Sequence, residues 1–264
     1  MKPAPDTPLC VVYVDDAIVV LDKPSGLLSV PGRGPDKQDC LSLRVQGQYP
    51  DALVVHRLDM ATSGLIVMAR GLQAQRTLSE AFANRQVHKR YEAVVHGVVE
   101  APSGNDWRTI DLPIGVDWPN RPRRKIDFHA GKASQTRVQL LHVDAQRQIS
   151  HVLLEPLTGR THQLRLHLQA IGHPILGDAL YAPPAVIAMA PRLADAGLHA
   201  ELWTDCKALP GIAARLRRLP LPAGAMNVPA LVHELQEAVL ASGPGVSSHV
   251  FNLTLLPLTP EDST

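Results

Sequence analysis

Short apolar runs bounded by Gly, Pro, Asp or Asn carry most of the structural signal in this chain. Residues 11–21, VVYVDDAIVVL, read as two short strands around an acidic turn at Asp15 and Asp16. The stretch DKPSGLLSVPGRGPD that follows is too rich in Gly and Pro to be anything but a loop. ALVV (52–55) and LIVMA (65–69) read as buried strands, which leaves HRLDMATSG as a tight turn at a sheet edge. In LQAQRTLSEAFAN (72–84), Leu72, Leu78 and Phe82 fit one face of a helix lying on a sheet, and KRYEAVVHG (89–97) alternates as a strand does. DLPIGVDWPNRPRRK (111–125) carries too many prolines for a regular element and predicts an ordered surface loop.

ASQTRVQLLHV (133–143) and ISHVLLEPL (149–157) then predict a pair of strands. A helix follows from near Thr161 to Gly172 and Pro174. On that helix Leu164, Leu168 and Ile171 form a buried stripe, and Arg165 shares another face with His162 and Gln169. Strands and helices mix without a regular βαβ alternation, so the pattern predicts an α+β fold and not a doubly wound one.

Composition narrows the class. With 264 residues and 45% hydrophobic content, the chain can bury one sizeable core and carry a small appendage. From residue 201 onward the text changes, with many late Pro and Gly residues and a single amphipathic stretch at Pro229–Ala241, so 201–264 reads as the appendage. No run approaches the roughly 18 apolar residues of a membrane helix, and the N-terminus lacks a signal-peptide core, which predicts a soluble, cytoplasmic protein without a membrane partner. Cys10, Cys40 and Cys206 have no zinc-site spacing and read as reduced thiols. The formal net charge is +1, so a polyanion would have to be held by a local patch.

Asp59 is the first candidate for chemistry. It caps its turn through the amides of Thr62 or Ser63, or it is a nucleophile or base kept ionised by a cation; spacing alone does not decide. Arg160 and Arg165 are candidate partners, with a surface helix of mixed charge as the alternative. Tyr91, one of four tyrosines, is a sheet-face ring or a platform for a flat base. Arg85, Lys89 and Arg90 form one basic run. Arg121, Arg123, Arg124 and Lys125 form another, stiffened by Pro119 and Pro122 beside Trp118, which suits a phosphate backbone. His56, Asp59, His162 and His167 could be assembled into a metal site, but their spacing matches no metal motif, and the glycines spell no nucleotide-binding loop.

With these residues in view, the chain resembles the RluA-type pseudouridine synthases. The resemblance rests on LDKPSGLLSVPG (21–32), HRLDMATSGLIVMA (56–69), KRYEAVVHG, LTGRTHQLRLHLQAIGHPILGDALY (157–181) and LHA (198–200), in the family's order over roughly residues 9 to 200. DWPNRP (117–122) is similar to the branch with dual specificity for 23S rRNA and tRNA. The resemblance implies the pseudouridine synthase fold, a mixed, mostly antiparallel curved sheet with flanking helices and loops around a central RNA-binding cleft. It implies Asp59 as nucleophile, Tyr91 stacked on the uracil and placed to take the C5 proton, and Arg165 paired with the aspartate. Lys23, Pro24 and Gly26 match the motif that supports the active-site loop.

The implied reaction isomerises uridine to pseudouridine in RNA loops of 23S rRNA, the tRNA anticodon stem, or both, with no cofactor and no metal. RNA would be held by Arg57, Lys89, Arg90, Arg121, Arg123, Arg124, Lys125 and Arg160, with the enzyme a monomer. Residues 1–200 would be the catalytic domain and 201–264 a divergent C-terminal extension, since ELWTDCKALPGIAARLRRLP stands where the family's terminal pattern is expected. Two other readings are a catalytically silent RNA-binding or assembly factor on the same fold, and a metal-dependent hydrolase using His56, Asp59 and His162.

Overall fold

The computed structural model describes residues 8–100, 107–190 and 254–255; the LHA segment and Pro229–Ala241 lie outside them. The chain divides into two compact units, residues 1–88 with 203–264, and residues 89–202.

In the first unit, β1 (Cys10–Val14) and β2 (Ile18–Lys23) form an antiparallel hairpin. Asp15 closes it, its Oδ1 accepting the amides of Ala17 and Ile18 at 2.8 Å each, while the Tyr13 hydroxyl donates to Oδ2 at 2.8 Å. β3 (Ala52–Val54) and β4 (Gly64–Arg70) complete a four-stranded antiparallel sheet in the order β1–β2–β4–β3. The two central strands are the unbroken apolar runs, and residues 18–21 and 64–69 are buried on both faces. Helix α1 (Leu41–Gln46), which the sequence pattern did not announce, buries Leu41 and Val45.

Helix α2 (Gly71–Ala83) lies where expected, but its buried residues are Ala74 and Leu78, whereas Leu72 is exposed. At 3.6 residues per turn Leu72 stands about 120° around the helix from Leu78, whereas Ala74 stands about 40° from it, so the buried stripe passes through 74 and 78 and leaves 72 outside. Cys10 is disulfide-bonded and Cys40 is a free, buried thiol, so of these two only Cys40 matches the expectation of a reduced thiol. β5 (Val87–His88) closes this stretch of the chain.

The second unit holds another antiparallel sheet, in the order β6–β11–β10–β7, made of β6 (Tyr91–His96), β7 (Arg108–Asp111), β10 (Gln135–Asp144) and β11 (Ile149–Pro156). Between β7 and β10, the stretch expected as a loop contains the hairpin of β8 (Ile114–Val116) and β9 (Arg124–Ile126), paired as Ile114↔Ile126, Gly115↔Lys125 and Val116↔Arg124. Its prolines all fall outside the two short strands, so no ladder bond is lost to them. Helix α3 (Gln163–Ala170) and the short α4 (Pro184–Ile187) follow. β12 (Thr254–Leu255) belongs to the first unit, where it pairs with β5. The architecture is α+β, as the pattern predicts.

The core of the second unit gathers Val95, Val99, Ile110, Val138, Val152, Leu154 and Leu168, with Tyr91 packed at its margin. Ser150 is fully buried in this core region. Its Oγ accepts the Val99 amide at 2.9 Å and donates to the Gly97 carbonyl at 2.8 Å. Removing that hydroxyl strands a buried amide and a half-buried carbonyl. Ser150→Ala is therefore expected to lower unfolding free energy by about 1–3 kcal/mol in urea titrations, with the m-value unchanged.

Candidate active site

Asp59 sits in a half-buried stretch that leaves buried Leu58 and precedes exposed Met60. What fixes this stretch is the loop after β2. Ser29 Oγ donates to the Leu58 carbonyl at 2.7 Å and accepts the Leu58 amide at 3.1 Å. The Gly26 amide donates to the Met60 carbonyl at 2.7 Å, and Ser25 Oγ donates to the Ala61 carbonyl at 2.8 Å. Gly26 adopts φ +83°, a backbone conformation that any side chain would strain, which is why a glycine follows the Lys-Pro-Ser turn. Within the turn itself, the Thr62 amide donates to the main-chain carbonyl of Asp59 at 3.1 Å.

Lys23 anchors both loops. It is 0% exposed, and its ammonium donates to the carbonyls of Pro24 at 2.8 Å, Leu27 at 2.9 Å and Met60 at 3.3 Å. Burial lowers its pKa to about 8, against the opposing pull of the Asp59 and Asp22 carboxylates. The ammonium thus contributes positive charge close to Asp59. Two more residues line this turn region. Arg57 is exposed, and His56 stacks on Phe82 at 4.6 Å while its Nε2 accepts the Val67 amide at 3.1 Å.

In the second unit, Tyr91 opens β6 opposite Leu154, half-buried against the core. The preceding Arg90 is tied to Glu155 at 2.9 Å, and Arg137 holds the other carboxylate oxygen at 2.8 Å. Lys89 is half-buried, with its ammonium near Gly159.

Arg165 projects from α3 with only 13% of its side chain exposed. It forms a two-pronged pair with Asp178, Nε to Oδ2 at 2.7 Å and Nη2 to Oδ1 at 2.6 Å. The start of α3 is set by side chains folding back, not by a cap. Gln163 Oε1 accepts the Arg160 amide at 3.0 Å and the Thr158 hydroxyl at 2.7 Å, and its Nε2 donates to the Gln135 carbonyl at 2.9 Å and to Thr136 Oγ1 at 3.0 Å. His167 completes this network. Its Nε2 faces the Leu112 carbonyl and must donate, so Nδ1 accepts from Thr136. Burial pushes the His167 pKa down, against the Leu112 carbonyl and Asp111, so the ring is neutral.

His162 departs from the expected helix face. It lies before the helix in a left-handed conformation (φ +58°), and its Nδ1 meets the Tyr181 hydroxyl at 2.8 Å, so it does not share a helical face with Arg165. The nitrogens named here for His56, His162 and His167 are already used in hydrogen bonds.

The basic hairpin is exposed at Arg121, Arg123 and Lys125. Arg121 lies 3.6 Å over the ring of exposed Trp118, and Lys125 pairs with Asp127 at 3.2 Å. Arg124 is half-buried, its amide donating to the Tyr181 hydroxyl at 2.8 Å and its Nε buried without a partner. Arg160 reaches the Ala133 carbonyl at 3.3 Å.

The structure therefore brings Lys23, Pro24, Gly26, Arg57 and Asp59 together in the first unit. In the second it groups Lys89, Arg90 and Tyr91 at one end of β6, Arg160 and Arg165 around α3, and 121–125 on one hairpin. Sequence reasoning assigned no role to Ser25, Ser29, Gln163, Asp178 or Tyr181. For Asp178 a signal existed in the Gly-Asp-Ala-Leu-Tyr turn, since an Asp after a glycine commonly accepts the amides that follow it.

Compared with known proteins, residues 17–170 match the family described as RNA pseudouridylate synthase. The chain is 49% identical over 196 residues to the dual-specificity RNA pseudouridine synthase RluA of Escherichia coli O6:H1, covering 74% of this chain and 86% of that protein. It is 46% identical over 192 residues to the protein of the same name in Vibrio cholerae, covering 73% and 76%. Among solved structures, human RNA pseudouridylate synthase domain containing 1 aligns with a TM-score of 0.58 at 29% identity, over 70% of this chain and 74% of that one. Residues 225–264 match a different family, described as the C-terminal conserved region of the HupH hydrogenase expression protein.

The buried Lys23 makes a measurable statement. Its folded pKa is depressed, so between about 8 and 10.5 the unfolded chain binds the proton that the folded chain has released, and stability rises with pH across that window. Carbon-detected NMR titration of the Lys23 side chain is expected to give a midpoint near 8; a midpoint near 10.5 would contradict the buried placement.

Proposed function

Because this chain belongs to the RNA pseudouridylate synthase family and is an isomerase of RNA uridine, we propose that Asp59 is its nucleophile, Tyr91 its uracil platform and Arg165 the cation that holds the aspartate ionised. The observation that carries this reading is the mounting of Asp59. Its turn is stitched to the neighbouring loop by Lys23, Ser25, Gly26 and Ser29, and a buried ammonium lies near its carboxylate. A turn cap needs no such support, whereas a nucleophile must be held in position to within a fraction of an ångström.

The chemistry uses only this chain's residues and the RNA. The target uridine leaves its stack, at a cost of a few kcal/mol that is smallest in a loop, and its base lies against Tyr91. The Asp59 carboxylate attacks at C1′ of the ribose or C6 of the ring, and the N1–C1′ bond breaks. The freed uracil turns, the bond to Asp59 breaks and returns its carboxylate as C5 bonds to C1′, and the C5 proton leaves with Tyr91 placed to accept it while N1 gains a proton. Tyr91 is suited to this by its anchorage: its strand is paired to β11, and Arg90 beside it is fixed to Glu155.

The substrate we propose is a structured loop of tRNA, of 23S rRNA, or both, as the names of the relatives suggest. Arg57, Lys89, Arg90, Arg121, Arg123, Arg124, Lys125 and Arg160 would carry its phosphates. The exposed Arg121 and Arg123 beside Trp118 offer charge and a stacking surface together. The catalytic domain we take as residues 1–200 and the extension as 201–264, a division that the separate family match of 225–264 supports. No helix among the described residues is long and apolar enough to cross a membrane. We take the enzyme to act as a cytoplasmic monomer.

Tritium release from C5-labelled uridine in unmodified tRNA and in 23S rRNA fragments tests the assignment. Wild type is expected to release label without added metal, and Asp59→Ala to fall to background while still binding RNA. Release by the Ala variant would sink the nucleophile assignment; binding without release by the wild type would leave the silent RNA-binding factor. For the hairpin, Arg121→Ala and Arg123→Ala are each expected to weaken RNA binding and to reduce the slope of log K against log salt by about 0.7–0.9. An unchanged slope would remove that residue from the phosphate contacts.

A further inference from the structure

We propose that Asp178 is a positioning residue of this enzyme, holding the Arg165 guanidinium in one orientation for the reaction; this rests on Arg165 being the catalytic cation. Three features of the second unit support it. First, the Asp178 side chain is 4% exposed and spends both carboxylate oxygens on Arg165, through Nε and Nη2, a planar fork that fixes the plane of the guanidinium as well as its place. Second, Asp178 is itself immobilised, because Oδ1 also accepts the amides of Leu180 at 2.9 Å and Tyr181 at 3.2 Å. Third, the Tyr181 ring delivered by that turn lies 5.2 Å from the Arg165 guanidinium carbon, and its hydroxyl is tied to His162 and to the Arg124 amide.

Arg165 is thus held edge-on by a carboxylate and flanked by a ring that is itself anchored. A surface arginine serving only solubility needs none of this. An arginine whose remaining N–H groups must meet a reacting carboxylate at one angle needs all of it. Burial disfavours the Asp178 anion, but the hydrogen bonds and charge of Arg165 and the two amides outweigh it, so the partner stays ionised in the neutral range.

A double-mutant cycle separates positioning from mere structure. Single-turnover rates on saturating RNA are measured for wild type, Asp178→Asn, Arg165→Lys and the double variant, with RNA affinity measured in parallel. The Asn oxygen can still accept the Leu180 and Tyr181 amides, but the side chain carries no charge and turns an NH2 donor where the second arm of the fork needs an acceptor. Asp178→Asn is expected to slow the chemical step on the order of 10- to 100-fold with RNA affinity within about threefold. In the Arg165→Lys background, where no fork exists, it is expected to slow the step less than about threefold further.

An unchanged rate in Asp178→Asn, or two effects that multiply independently, would overturn the proposal. If Asp178→Asn does not fold, Asp178→Glu takes its place in the cycle; should neither fold, Asp178 serves folding itself and the proposal fails. A wild type that releases no label from any RNA would instead refute the functional reading on which the proposal stands.

Discussion

A fully buried ammonium determines how the first unit presents Asp59. Lys23 ends the central strand β2, where its side chain would be expected to reach solvent, yet it is sealed from water and bonded to three main-chain carbonyls. An unpaired charge there would be prohibitive, so the Pro24–Leu27 loop and the Met60 carbonyl must close around it. Those carbonyls belong to two segments far apart in sequence. Satisfying one side chain therefore fixes the loop after β2 and the turn that carries Asp59 in a single arrangement. Gly26, Ser25 and Ser29 then fasten the same two segments with further hydrogen bonds.

The second unit solves a related problem with neutral groups. Gln163, Thr136, Thr158 and His167 form a buried chain in which every donor named above meets an acceptor, and it sets where α3 begins and how it lies on β10. That matters because Arg165 is two residues into this helix. The angle of its guanidinium is fixed from both ends, by the helix start behind it and by Asp178 in front. Polar networks of this kind specify one geometry because any alternative leaves a buried group without a partner.

Several features were legible in the sequence. The apolar runs of β2, β4, β10 and β11, the helices near 72–84 and 161–172, and the turn holding Asp59 all follow from pattern and turn chemistry. The motifs were sufficient to identify the family. The β8–β9 hairpin was not legible, because three-residue strands separated by a proline-rich turn leave no periodicity to detect. Leu72 falls outside the buried stripe because six helical positions place it about 120° away from Leu78. His162 leaves the expected helical face because a single left-handed residue takes it out of the helix without changing the sequence pattern.

Local chemistry written into the chain thus determined most of the strands, the longer helices and the tight turn that carries Asp59, since these depend on residues near one another in sequence. The partners of the charged groups were decided only by tertiary structure. Nothing near Lys23 announces that it is buried on the carbonyl of Met60, and nothing near Arg165 announces Asp178, thirteen positions on. Such pairs form where chain segments meet in space, and the penalty for leaving a buried charge unpaired appears only once the fold has excluded water from around it.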